Sequence, residues 1–174
     1  SLASSYYDLS HLVFDWLPLA SLVGRARKEA VLVLHGGIGD GSWSLEDLEF
    51  NVPRPLSCET TAPRFVLDAL WSDPSGSDKN GHFGVHGSPR GSDIVEFGPD
   101  ITSQFCIKNK IEMIVRSHQF VSHGYKVMHR GRLITVFSAR NYGNALKNDA
   151  AILLVAEDDD GNIRVRPKRL LHLE

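Results

Sequence analysis

Two short apolar runs, each ending in a histidine, constrain this chain more than any other feature. Ala30-Val-Leu-Val-Leu34 is β-branched-rich and stops at His35-Gly36-Gly37, and Ile111-Glu-Met-Ile-Val-Arg-Ser117 stops at His118. Runs of this length and composition predict buried strands. Two strands that each deliver a histidine at the carboxyl end can bring both imidazoles to one rim of a sheet. Neutral imidazole is a common transition-metal ligand, and Gly36-Gly37 would let backbone pass closely beneath a metal. Two imidazoles alone do not make a site, and each histidine taken singly reads first as a plain structural residue.

The rest of the chain supplies the scaffold for such strands. Leu9, Leu12, Val13, Trp16, Leu17, Ala20 and Val23 follow helical spacing, which predicts an amphipathic helix over residues 8–23, kinked or broken at Pro18. Ser44 with Glu46 and Asp47 predicts a helix start, and Pro53 and Pro55 lie beyond its end. Residues 63–71 read as a helix or an irregular segment. Residues 74–92, punctuated by Gly76, Gly81, Gly84, Gly87 and Gly91, read as one long loop. Ile94–Phe97 predicts a strand and Pro99 opens a helix. Strands are predicted over 111–115, 125–129, 133–138, 151–156 and 163–165, with Asp158–Asn162 as the turn between the last two. Helices first and adjacent strands later predict a layered α/β, α+β-like arrangement rather than a βαβ alternation.

Composition removes several alternatives. At 174 residues, 42% apolar and 23% charged, the chain can fill a core and is not disordered overall. The longest apolar stretch, Ala30–Leu34, is far short of a bilayer span, so no membrane partner is expected. A net charge of −2 carries no basic footprint for nucleic acid. Cys58 and Cys106 make no disulfide framework, which predicts a reducing compartment, cytoplasmic or nuclear.

Several apparent motifs fail. Gly37, Gly39 and Gly41 lack the spacing of a dinucleotide fingerprint, and no P-loop lysine follows. His82 and His86 are spaced like a zincin pair, but their segment is glycine-rich and lacks the glutamate beside His82, so they read as loop histidines. The acidic run Asp158–Asp160 reads as a solvated hairpin tip rather than a calcium loop.

A longer pattern holds. His35-Gly-Gly, Leu70-Trp-Ser-Asp-Pro74, Arg90-Gly91, Phe97-Gly98, Val115-Arg-Ser-His118 and Phe137-Ser-Ala-Arg-Asn-Tyr142 occur in this order. Asn148 and the apolar residues 150–155 follow. Their order and spacing resemble the C-terminal part of the PPP-type protein serine/threonine phosphatases, over roughly residues 10–170. The HGGIG form, preceded by Phe14-Asp-Trp-Leu-Pro-Leu19, looks most like the kelch-repeat branch of that family.

The resemblance implies a fold, a reaction and a residue set. The fold is the calcineurin-like metallophosphoesterase β-sandwich flanked by helices, of which residues 1–174 would form the C-terminal half of one catalytic domain. The reaction is hydrolysis of phosphoserine or phosphothreonine in a phosphoprotein by a hydroxide bridging two metal ions, about 3.5–4 Å apart. The ions would be manganese, iron or zinc, only one of them partly ligated by this chain. His35 and His118 would be the metal ligands and Arg90 the phosphate fork. Tyr142, beside Asn141, would overhang the metals and shape substrate access. Trp71 would be a packed indole, and Asp73 a carboxylate near the centre that is not itself a ligand.

Departures from the family pattern bear on specificity. Arg140 replaces a proline, which would add positive charge near the phosphate, and Gly143 replaces a cysteine. Gly87-Ser-Pro89 lacks the usual Asn before Arg90. The family's D-x-H, G-D-x-x-D-R-G and G-N-H-E segments do not occur. The expected partner is therefore the missing N-terminal half, with regulatory subunits or a kelch domain as further candidates. Two alternatives follow: a non-catalytic fragment or binding module, and a metallophosphoesterase acting on small molecules. An isolated chain of this kind is expected to expose an apolar sheet face.

Overall fold

A computed structural model describes residues 2–25, 29–56, 62–143 and 147–171. Cys58 lies outside the described residues; Cys106 is a buried free thiol whose pKa is pushed up to about 11 by burial. No described helix is long and apolar enough to cross a membrane.

The predicted N-terminal helix is shorter than its periodicity suggested. Helix α1 covers Leu2–Phe14 and ends well before Pro18, whose ring cannot continue it. Residues 20–23, expected in the same helix, instead form strand β1, Ala20–Arg25. The physical reason is pairing: β1 lies antiparallel to β2, Glu29–Leu34, in register from Ala20↔Leu34 to Arg25↔Glu29. Tertiary hydrogen bonding outweighed a weak local preference. Helices α2, Leu45–Phe50, and α3, Arg64–Trp71, follow. Ser44 and Asp47 close a reciprocal capping box at the start of α2.

The long loop of the sequence reading is largely structured. It holds β3, Asp73–Pro74, a 3₁₀ turn at Asn80–His82, β4, Val85–Ser88, and the start of β5, Gly91–Phe97. These strands form a three-stranded sheet in the order β3-β5-β4. Glycines obscured the strands because glycine carries no β signal of its own.

Helix α4, Pro99–Asn109, and strands β6, Met113–Arg116, β7, Tyr125–Met128, and β8, Leu133–Val136, complete the main layer. The principal sheet runs β1-β2-β6-β8-β7. Its three central strands are parallel and its two edges antiparallel. β9, Ala150–Glu157, and β10, Ile163–Leu170, form a separate ribbon closed at its tip by Asp158, whose Oδ1 accepts the Asp160 and Asn162 amides.

The core lies where this sheet meets α4 and the segment after β2. Leu32, Leu34, Ile38, Trp43, Phe97, Phe105, Ile114 and Leu133 form its centre, with Trp43 edge-on to Phe105 at 4.7 Å. Elsewhere apolar side chains stay exposed: Leu9, Leu12, Val13 and Trp16 around α1, Leu22 on β1, and Ile152, Leu154 and Val155 on β9.

Candidate metal centre

Parallel pairing of β2 with β6 builds this site. Val33 pairs with Val115, and one step further the Ser117 amide donates to the His35 carbonyl at 3.2 Å. Both strands therefore release their next residues at the same rim, where ligands gather in sheets of this kind. His118 takes a left-handed backbone, φ 61°, which turns its ring toward His35. His118 Nδ1 stands 3.0 Å from His35 Nε2, and the rings cross at 68°.

That spacing is what a shared metal requires. Metal–imidazole bonds of about 2.0–2.1 Å put two cis nitrogens about 3 Å apart. Both imidazoles are held in the neutral form that metal ligation requires. The pKa of His118 is lowered to about 4, first by burial and then by Arg90 and Arg116. His35 is lowered by burial, Arg116 and Arg90. His118 Nε2 is buried with no hydrogen-bond partner among the described residues, a polar atom left without the second contact that metal ligands ordinarily make. Among the described residues no group of three or more His, Cys, Asp or Glu side chains comes together. The two imidazoles fit part of a coordination sphere and no more.

Around the pair sits a buried ion network. Asp73, 3% exposed, receives Arg90 Nε on Oδ2 at 2.5 Å and Arg116 Nη2 on Oδ1 at 2.8 Å. Arg116 is 1% exposed, and every arm of its guanidinium is used. Nε donates to the Gly36 carbonyl at 2.6 Å, Nη1 to Gln119 Oε1 at 3.1 Å, and Nη2 also to the Ser72 carbonyl at 3.3 Å. Burial lowers its pKa to about 10, opposed by Asp73, so it stays cationic at neutral pH. Arg116 thus ties the His35-Gly36 turn, the β3 start and the His118 turn together. The sequence motif Val115-Arg-Ser-His118 includes it but assigns it no role; the further signal was a charge at the end of an otherwise apolar strand.

The other anticipated residues fall in different places. Arg90 follows a serine turn closed by Ser88 Oγ and reaches Asp73 through Nε, and its terminal nitrogens bond to none of the described residues. Trp71 was expected as a packed indole, but it is 47% exposed and meets the His118 ring edge-on at 5.3 Å. It lies at the last turn of α3, on the rim rather than in the core. Tyr142 and Asn141 are on the turn after β8. The Tyr142 amide donates to Asn148 Oδ1 at 2.8 Å, its ring packs on Phe137, and it touches neither imidazole. Asn141 has φ 53°, and its amide donates to the Asn148 carbonyl. Asn148 is buried and also donates to the carbonyls of Ala139 and Asp149, so it holds the turn shut. Arg140, expected to lend charge to a phosphate, instead donates Nη1 to the Leu171 carbonyl.

Gly36 and Gly37 also have a packing role. A Cβ on Gly36 would stand 2.4 Å from the Leu70 carbonyl carbon, and one on Gly37 would stand 2.4 Å from the Phe97 ring. Their amides donate to the Ala69 and Asp68 carbonyls at the end of α3. The glycines let the turn after β2 dock on α3, which in turn fixes His35 beside Trp71.

The fold is that of the calcineurin-like phosphoesterases. The calcineurin-like phosphoesterase family model matches residues 2–122, and the chain belongs to that family. Among its relatives, serine/threonine-protein phosphatase BSL2 of Arabidopsis thaliana is 38% identical over 146 residues, covering 84% of this chain and 14% of the relative. Serine/threonine-protein phosphatase 5 of Rattus norvegicus is 36% identical over 154 residues, covering 88% of this chain and 28% of the relative. A solved Saccharomyces cerevisiae protein serine/threonine phosphatase, described as similar to human phosphatase PP5, superposes with TM-score 0.75 at 29% identity. That match takes in 97% of this chain and 51% of the yeast chain. The chain therefore spans about half of the solved relative and less of the curated ones.

Proposed function

We propose that this chain supplies half of the catalytic centre of a protein serine/threonine phosphatase, and that it acts on phosphoserine or phosphothreonine. The observation that carries the reading is the 3.0 Å approach of His118 Nδ1 to His35 Nε2 beside a cationic network. His35 and His118 would hold one metal ion, and metal ions here supply Lewis acidity toward a phosphate oxygen. Arg90 presents its free terminal nitrogens as a fork for two phosphate oxygens, while Asp73 holds its Nε and sets its direction. Two arginines share the one Asp73 carboxylate, which leaves net positive charge to receive a phosphate dianion. Tyr142 and Asn141 would form the substrate-facing turn, kept in shape by Asn148.

Two imidazoles do not fill a coordination sphere, so the remaining donors would come from a complementary segment carrying D-x-H, G-D-x-x-D-R-G and G-N-H-E. The test joins this chain to such a segment from phosphatase 5 and measures phosphate release from a phosphoserine peptide with manganese. The joined protein should be active, the separate chain inactive, and His118→Ala should lose at least a hundredfold in kcat/KM. Unchanged activity in His118→Ala would overturn the assignment. Robust metal-dependent activity from the separate chain would refute the need for a second segment.

A further inference from the structure

A polar cleft of about 220 Å³ adjoins the metal centre, lined in part by Glu96 of β5, Lys126 of β7, Thr135 of β8 and Gln119. Two of its walls are continuous with the centre. Gln119 follows His118 directly, and Pro74, also in the lining, follows Asp73. The space is below the range that takes a cofactor or drug-sized ligand and suits a single side chain.

The chemistry of the walls is unfinished. Thr135 is 1% exposed, yet its hydroxyl has no hydrogen-bond partner among the described residues. In register it lies between Arg116 of β6 and Lys126 of β7, on the sheet face that Arg116 uses to reach Asp73. The Glu96 side chain makes no hydrogen bond or ion pair with any described residue, and Lys126 Nζ donates only to the Gly76 carbonyl at 3.0 Å. A buried hydroxyl without a partner carries a desolvation cost that a bound polar group removes.

Resting on the phosphatase reading, we propose that this cleft is a subsite for a carboxamide side chain, Gln or Asn, beside the phosphorylated residue of a phosphoprotein. Charge complementarity selects that occupant. An acidic side chain meets the Glu96 carboxylate, and a basic one meets the Lys126 ammonium. An apolar side chain leaves Glu96 and Thr135 without partners and gives Lys126 nothing beyond the Gly76 carbonyl. A carboxamide is neutral and dipolar: its oxygen accepts from Lys126, and its NH₂ donates to Glu96 and to the Thr135 oxygen.

The test uses the full chain and four fluorescent phosphoserine peptides that differ only in having Gln, Leu, Glu or Lys flanking the phosphoserine. Anisotropy should show the Gln peptide binding at least fivefold more tightly than the other three. Thr135→Val should bring Gln and Leu within twofold of each other while leaving the Leu peptide's Kd unchanged. Glu96→Gln, which is more exposed and safer for folding, should tighten the Glu peptide at least threefold. Equal affinity for all four peptides, or a Gln preference that survives both variants, would overturn the subsite. If the wild type does not distinguish phosphorylated from unphosphorylated peptide, it is the phosphatase reading that fails. In that case N-acetylglutamine methylamide, which carries no phosphate, is titrated by NMR. Shifts centred on Thr135 and the Gln119 side-chain amide uphold the subsite; their absence overturns it.

Discussion

The Ser117 amide donates to the His35 carbonyl at 3.2 Å, joining the carboxyl ends of two parallel strands. This bond places His118, the next residue, with Nδ1 3.0 Å from His35 Nε2 although 83 positions separate them in the chain. A ligand that binds only the folded pair stabilises the fold by mass action. Zinc or manganese at a hundred times its Kd should therefore add about 2.7 kcal/mol, seen as a raised Tm that EDTA reverses. His35→Ala should abolish the shift. An equal Tm rise in that variant would place the metal elsewhere.

Among the described residues Asp73 is the sole carboxylate paired with the buried Arg116, and the solvent-facing Arg90 shares it. Asp73→Asn should cost about 3–5 kcal/mol, because it leaves Arg116 charged in the interior without its counter-charge. Arg90→Ala should cost under about 1 kcal/mol, since that pair is partly exposed and Asp73 keeps its inner partner. Urea denaturation of both variants measures the contrast. Equal losses would show that Arg90, not Arg116, is the structural member.

Gly36 sits where any side chain meets main chain. Gly36→Ala would press a Cβ to 2.4 Å from the Leu70 carbonyl carbon and 2.5 Å from the Trp71 nitrogen, atoms that move only with helix α3. A loss of about 1–3 kcal/mol is expected, together with displacement of His35. Gly81→Ala meets nothing within 4 Å and should be near neutral. Thermal denaturation of the pair checks the argument, and a neutral Gly36→Ala would refute the docking role.

His129 is buried between α4 and the exit of β3. Its Nδ1 lies 2.7 Å from Thr102 Oγ1, and its Nε2 donates to the Ser75 carbonyl at 3.1 Å. Burial lowers its pKa. In the unfolded chain it titrates near about 6.5. Because the folded value is depressed, its contribution to stability is fully present above pH 6.5 and declines as pH falls toward the folded value. Denaturation at pH 7.5, 6.0 and 5.0 should show stability falling with acidity. The fall should be smaller in His129→Gln. An identical pH slope in that variant would remove His129 as a cause.

Legibility differed between parts of the chain for physical reasons. β2, β6 and β8 were readable because burial on both faces demands continuous apolar runs, and α4 because Pro99 marks a first helical turn. β1 was misread as helix because its apolar spacing suits either period and only pairing with β2 selects the strand. β4 was lost among glycines. Of the site, His35 and His118 announced themselves by ending strands, whereas Arg116 looked like an ordinary charge until its burial and four contacts gave it a role.

Local chemistry settles which residues end strands, which cap helices and which motifs recur in order, since these depend on side-chain type and spacing along a few residues. It also settles that His35 and His118 occupy equivalent strand-end positions. It does not say that β2 and β6 are neighbours, or that they run parallel, because strand pairing is a long-range choice made by the whole core. That choice alone puts the imidazoles 3.0 Å apart, sinks Arg116 beneath them and leaves Thr135 without a partner beside Glu96 and Lys126. The residues were in the chain; their distances came from packing.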